Sequence, residues 1–294
     1  MRILVTGATG FLGSHLCRLL VDRGHEVIAF RRSASDLSRL AAAAERVRWL
    51  DIADLETPFR SGKTLDAVVH CAALYGRRGE SVPDLIQANT LLPARLHRLA
   101  CDTGVPLLLH TGTVLEPHLN AYALSKHHAE EWLKMAGGST RVVNLKVQHF
   151  YGPNDDPSKF ITGLITRCLA NEPEIPLTEG RQQRDFIHVD DVVGAMLLLL
   201  EDPACPPSVA GRFLDVEVGS GETVEIRTLV EYIHRLAESR SRLAFGALPY
   251  RPGEPMLTRA DNTVLRSWGW SPMVSLETGL RRTVEAERTK LSSS

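Results

Sequence analysis

The first stretch of the chain restricts the fold more than any other. A strand-length apolar run, Arg2-Ile-Leu-Val-Thr6, leads directly into Gly7-Ala-Thr-Gly10-Phe-Leu-Gly13, and Phe11, Leu12, Leu16, Leu19 and Leu20 then fall on one helical face. Gly24 follows as a helix terminator. A strand that turns so abruptly into a helix needs a positive φ, close backbone approach without a Cβ, and tight helix-on-sheet packing. Glycines meet all of these needs. The amides and dipole of such a helix start attract an anion, which makes the turn a candidate pyrophosphate cradle. Its Gly-x-x-Gly-x-x-Gly spacing departs from the commoner Gly-x-Gly-x-x-Gly. A purely structural turn is the alternative, and the flanking strand and helix weigh against it.

The pattern that follows repeats the strand-helix unit. Apolar runs at 26–30, 47–50, 67–71, 106–110 and 142–147 join 3–6 as candidate strands, rich in Val, Ile and Leu as strands buried on both faces are. They predict an α/β fold with a doubly wound parallel sheet in a dinucleotide-binding domain at 1–150. Beyond residue 150 Pro and Gly concentrate and the rhythm loosens, so 151–294 is expected to form a smaller substrate lobe. A segment near 186–217, a strand or turn and then a buried helix, is expected to return to the first domain. Lys plus Arg (34) nearly balance Asp plus Glu (35), for a net charge of −1, so nucleic acid and anionic membranes have no electrostatic reason to bind. The longest aliphatic run, Ala195-Met-Leu-Leu-Leu-Leu200, is far short of the ~20 residues that span a bilayer. No secretory leader pattern opens the chain, and a cytoplasmic location is expected. Cys17, Cys71, Cys101, Cys168 and Cys205 are scattered without metal-ligand spacing, so they are expected as reduced thiols with no metal.

Where the dinucleotide pattern calls for an acidic residue at the end of the second strand, the chain has Arg31 and Arg32. Guanidinium groups there would stack on adenine and bind a ribose 2′-phosphate, which favours NADP(H) over NAD(H). A solvated basic loop is the alternative. Asp51 follows the third strand, where it would meet the adenine edge or remain a plain loop carboxylate.

Tyr122 is the one tyrosine with a lysine four residues on, Lys126, in a stretch that reads as helix to about Met135. Both side chains then share a face. A phenol of pKa ~10 is a poor acid-base group at neutral pH unless a cation stabilises the phenolate, and Lys126 beside a nicotinamide would do so.

Taken in order, Gly7-x-x-Gly-x-x-Gly13, Asp66-Ala-Val-Val-His-Cys-Ala-Ala73, Tyr122-x-x-x-Lys126 and Arg184-Asp-Phe-Ile-His-Val-Asp-Asp191 resemble the extended short-chain dehydrogenase/reductase family, of NAD-dependent epimerase/dehydratase type. The likeness continues through Arg251-Pro-Gly-Glu254 and Leu265-x-x-Trp-Gly-Trp-Ser-Pro272. It implies a Rossmann sheet, NAD(P) and a nucleotide-activated sugar in the cleft between the lobes. It also implies a homodimer formed partly through the helix of Tyr122. By this resemblance Thr111 joins Tyr122 and Lys126 as the third catalytic residue, with Thr113 as the second choice. A strand-end threonine bonded to its own backbone is the plain alternative for Thr111. The same likeness makes Thr9, Phe11, Leu12, Ile52, Cys71, Ala72, Ala73, Asn89 and His149 cofactor contacts, beside Gly7, Gly10, Arg31, Arg32, Asp51, Tyr122 and Lys126.

The family's dehydratases place Asp and Glu after the threonine, whereas this chain has Gly112 and Thr113. Its epimerase-reductases place a cysteine where Thr113 stands. Residues 148–160 and 171–185 are similar to the CDP-abequose and CDP-paratose synthase group. That similarity implies NADPH-dependent reduction of the C4 ketone of a CDP-4-keto-deoxyhexose in deoxysugar and polysaccharide biosynthesis. In it Arg184 and Arg251 clamp the diphosphate, and Thr113, His149 and Lys159 border the sugar. The alternatives are a nucleotide-sugar 4-epimerase with tightly held NAD, and a non-catalytic NADP-binding protein. Ser61-Gly-Lys-Thr64 resembles the end of a P-loop but lacks the strand and first glycine, and His127-His128 diverge on their helix.

Overall fold

A computed structural model describes residues 1–202, 204–205 and 212–293. In chain order the first elements are β1 (Arg2–Thr6), α1 (Phe11–Asp22), β2 (Glu26–Arg31), β3 (Arg48–Asp51), β4 (Ala67–His70), α2 (Val82–Ile86), α3 (Leu92–Thr103), β5 (Leu107–Thr111), α4 (Ala121–Met135) and β6 (Arg141–Val147). Then come β7 (His149–Tyr151), α5 (Phe160–Leu169), β8 (Glu174–Leu177), β9 (Gln183–Arg184), β10 (Phe186–His188) and α6 (Val189–Glu201). The last are β11 (Phe213–Val218), β12 (Val224–Glu225), α7 (Ile226–Leu236), β13 (Arg242–Phe245), β14 (Leu257–Thr258), α8 (Thr263–Ser267) and α9 (Leu276–Ser293).

One compact unit comprises 1–147 and 193–217. Its seven-stranded sheet runs in the order β11-β6-β5-β4-β1-β2-β3, and β3 to β6 pair in parallel. This is the doubly wound parallel sheet that the alternating apolar runs predict. Both faces are covered, so β1 and β4 are buried along their whole lengths. On one side Leu4, Ile28, Val68 and Leu108 pack with Leu96, Ala100 and Leu133 from α3 and α4. Of the stretch expected to return near 186–217, residues 203 and 206–211 lie outside the described residues, as does Ser294.

The other unit comprises 148–192 and 218–294. Its pairings are small: β7 with β10, β8 with β13, and β9 between β12 and β14. An apolar cluster of Ile161, Ile165, Ile175, Leu229, Ile233, Leu280 and Tyr151 joins α5, α7 and α9. Two carboxylates from the stretch 184–191 tie loops to this core. Buried Asp185 accepts from the amides of Ser220, Gly221 and Ala260 and from Ser220 Oγ, at 2.6–3.1 Å. Asp191 accepts from the amides of Met273 and Val274. Among the described residues no helix is long and apolar enough to cross a membrane.

Removing Asp185 strands several buried donors at once. Asp185→Ala is predicted to lower unfolding free energy by roughly 3 kcal/mol, seen as a lower urea midpoint.

Candidate functional site

The glycine turn is built as its spacing requires. Gly7 has φ +72°, and a Cβ there would sit 2.5 Å from the Ala72 backbone nitrogen beyond β4. A Cβ on Gly13 would collide with the Gly7 carbonyl. The backbone closes on itself through Gly10 N–H donating to Gly7 O at 2.9 Å, and no side chain caps α1 at Gly10. Gly10 is exposed and Thr9 half-buried, while Phe11 and Leu12 turn into the core and offer the site only their backbone. An uncapped, Cβ-free helix start of this kind fits a dinucleotide diphosphate.

At the neighbouring strand ends Arg31 and Arg32 are both exposed, and they diverge. The Arg31 guanidinium lies over the Trp49 ring at 5.7 Å. Arg32 lines a cavity of about 460 Å³ with Leu74, Arg78, Glu80, Asp84, Gln87 and Ala88. Asp51 caps a short turn by accepting from Ala53 N–H at 2.9 Å, and Ile52 is half-buried beside it. Cys71, Ala72 and Ala73 form the half-buried loop after β4.

Asn89 lies in the interior beside the loop that follows β4. It is fully buried, exchanges hydrogen bonds with the backbone of Leu74 at 2.8 and 2.9 Å, and donates to Ser125 Oγ at 2.9 Å. It therefore braces the post-β4 loop against α4. An asparagine with these bonds made in the interior has its side chain committed to the scaffold.

The helix predicted around Tyr122 is α4, capped by Asn120 Oδ1 on Ala123 N–H. Tyr122 and Lys126 lie on it one turn apart. Burial pushes the Tyr122 phenol well above its usual value of 10, and the nearby Tyr75 phenol reinforces the rise against a hydrogen bond with Thr113 and the charge of Arg77. Desolvation outweighs both opposing groups. Burial also pushes the Lys126 ammonium down to about 7, partly opposed by Cys71. Lys126 Nζ lies 3.4 Å from His110 Nε2. The two threonines divide: Thr111 Oγ1 donates to Cys71 Sγ at 3.8 Å, and Thr113 is the hydroxyl bonded to Tyr122.

The remaining expected residues belong to the second unit. His149 Nδ1 is buried without a partner, and burial together with Arg184 lowers that imidazole to about 4. Arg184 is buried, and its Nη2 is held at 2.5 Å by Glu254 and its Nη1 by Gln183 O. Arg251 is exposed, and its backbone oxygen accepts from Glu254 N–H at 3.0 Å. A carboxylate thus occupies one fork of Arg184 in this structure. Lys159 Nζ is likewise engaged, at 3.0 Å from Asp155 and 4.4 Å from the Phe150 ring centre.

Tyr75, whose ring is tilted against that of Tyr122 at 4.8 Å, and His110 carry no sequence signal that marks them for the site. No spacing rule links 75 to 122. His110 was visible only as the residue before Thr111 in an aliphatic strand. The five cysteines are free, and among the described residues no cluster could hold a metal. His127 bonds Leu115 O instead.

Because Lys126 binds a proton more readily when unfolded, with a pKa near 10.5 against about 7 folded, stability must rise with pH between those values. Relative to Lys126→Met, the wild type is predicted to gain stability from pH 7 to 10 and to show no further difference in slope below pH 6. Urea unfolding at three pH values checks this.

The NAD dependent epimerase/dehydratase family model matches residues 3–210. CDP-abequose synthase of Salmonella muenchen is 33% identical, over 96% of this chain and 96% of its own. The dTDP-4-dehydro-6-deoxy-D-allose reductase of Streptomyces bikiniensis is 30% identical over 86% and 85%. UDP-glucose 4-epimerase of Thermotoga maritima, solved with UDP-glucose, superposes with a TM-score of 0.84 at 25% identity, covering 99% of this chain and all of that one. With the glycine cradle and the Tyr122/Lys126 helix in place, the chain belongs to the NAD dependent epimerase/dehydratase family, enzymes of the NAD(P)-dependent extended short-chain dehydrogenase/reductase class.

Proposed function

We propose that this enzyme uses NADPH to reduce the C4 ketone of a nucleotide-activated 4-keto-deoxyhexose, with CDP as the nucleotide. The observation that carries the reading is the Tyr122/Lys126 pair on α4, with Thr113 on the phenol and no acid-base pair at 112–113 to remove water. Names among the relatives support it, since both a CDP-sugar synthase and a dTDP-sugar reductase align over most of the chain.

The dinucleotide, when bound at the Gly7–Gly13 cradle, supplies the hydride for the ketone carbon. Tyr122 supplies the proton. A phenol held well above pKa 10 stays protonated at neutral pH and acts as an acid toward the developing alkoxide. Lys126 binds the nicotinamide ribose, and its positive charge offsets the phenolate left behind. Thr111 binds the ketone oxygen, and Thr113 orients the phenol through their hydrogen bond. In the second unit His149, with its unpartnered Nδ1, contacts sugar or cofactor. Arg184 and Arg251 take the diphosphate once Glu254 gives way.

A 4-epimerase with retained NAD is the second reading, favoured by the solved UDP-glucose 4-epimerase that this chain superposes on. Incubation with NADPH or NADH and a panel of CDP-, dTDP- and GDP-4-keto-6-deoxy sugars separates the two. Oxidation of NADPH by one member supports the reductase. Bound NAD with interconversion of ordinary nucleotide hexoses supports the epimerase.

Tyr122→Phe is predicted to bind cofactor as the wild type does and to lose at least about a hundredfold in kcat, the scale of one general acid. Retained turnover would contradict the assignment. Arg32→Ala is predicted to weaken NADPH about tenfold or more in a fluorescence titration and to leave NADH nearly unchanged, because only NADPH carries the phosphate that a guanidinium binds.

A further inference from the structure

Polar side chains in the middle of a parallel sheet are costly unless each is bonded. One row of this sheet is nevertheless polar across neighbouring strands. Thr6, His70, His110 and Asn144 are successive register partners on β1, β4, β5 and β6, and all are buried. Thr6 Oγ1 and His70 Nδ1 lie 2.7 Å apart, the His70 and His110 rings stack at 5.2 Å, and Asn144 Nδ2 donates to Asp215 Oδ1 at 2.7 Å. His110 stands directly before Thr111, with its Nε2 on the lysine of the α4 pair.

We propose that His110 is a positioning residue for the reaction, whose neutral imidazole accepts a hydrogen bond from the Lys126 ammonium through Nε2 and holds that side chain charged. Lys126 is 2% exposed, and the titratable groups that act on it from the packed strands are His110 on β5 with His70 and Cys71 at the end of β4. None is a carboxylate. A buried ammonium without a carboxylate depends on whatever lone pair faces it. Burial, aided by the charge of Lys126, pushes both His110 and His70 well below the usual histidine range, so each ring is neutral and keeps a lone pair. An ammonium only donates, which fixes the His110 tautomer with hydrogen on Nδ1. That Nδ1 is without a partner, and the register neighbour Asn144 has an equally unpartnered acceptor in Oδ1.

The assignment rests on the reading of Tyr122 and Lys126 as the proton-handling pair, and its test reads the lysine without substrate or turnover. The chain has six lysines, so ¹³C labelling at Cε gives few signals, and Lys126→Met identifies the one at issue. In a pH titration of the cofactor-free protein, His110→Phe keeps a ring and removes the acceptor, and it is expected to lower the Lys126 midpoint by about one pH unit. His110→Gln keeps an oxygen in reach of Nζ and is expected to restore most of that loss. Histidine ¹⁵N spectra of the unaltered protein are expected to show His110 protonated on Nδ1. An unchanged midpoint in folded His110→Phe, a fall in His110→Gln as deep as in His110→Phe, or hydrogen on Nε2 while Lys126 is charged would each overturn the assignment. Should His110→Phe not fold, the Gln variant and the wild-type tautomer decide it. Failure of the ketosugar panel would instead reject the reductase and leave this result standing.

Discussion

The desolvated ammonium of Lys126 is the constraint around which the first unit's chemistry is arranged. Burying a cation without a carboxylate partner weakens its hold on a proton, and the fall from 10.5 to about 7 follows from that alone. The fold accepts this because α4 lays the lysine over the ends of β4 and β5, where His110 offers a lone pair and the backbone is committed to strand pairing. The same burial keeps the Tyr122 phenol protonated. One helix, one turn apart, thus carries a phenol that burial keeps protonated and an ammonium that burial lowers to about 7.

The sheet could be read from the sequence because it is buried on both faces. Aliphatic runs then mark strands without ambiguity, and the six expected strands lie within one residue of those observed at either end. The glycine cradle was equally plain, since no residue with a Cβ fits at Gly7 or Gly13. The site was legible where a local rule applied: helical spacing joins Tyr122 to Lys126, and an N-cap at Asn120 starts their helix.

Contacts made across the fold were not legible. Tyr75 reaches Tyr122 from a loop, and His110 reaches Lys126 from a strand, at separations no periodicity encodes. Asn89 braces a loop through bonds that need the loop's path to be known. Arg184 is the instructive case. An arginine in such a stretch invites an anion, and here the anion is Glu254 of the same chain.

The central proposal is that hydride passes from the nicotinamide to the C4 carbon of the sugar, with Tyr122 delivering the proton. The most direct test uses NADPH deuterated at the transferring position of the nicotinamide, with a CDP-4-keto-deoxyhexose, and NMR of the product. The account predicts one deuterium at C4 for each NADPH oxidised, accumulating at least about a hundredfold more slowly with Tyr122→Phe. A product without deuterium at C4, formed while the cofactor remains bound and unconsumed, would contradict it.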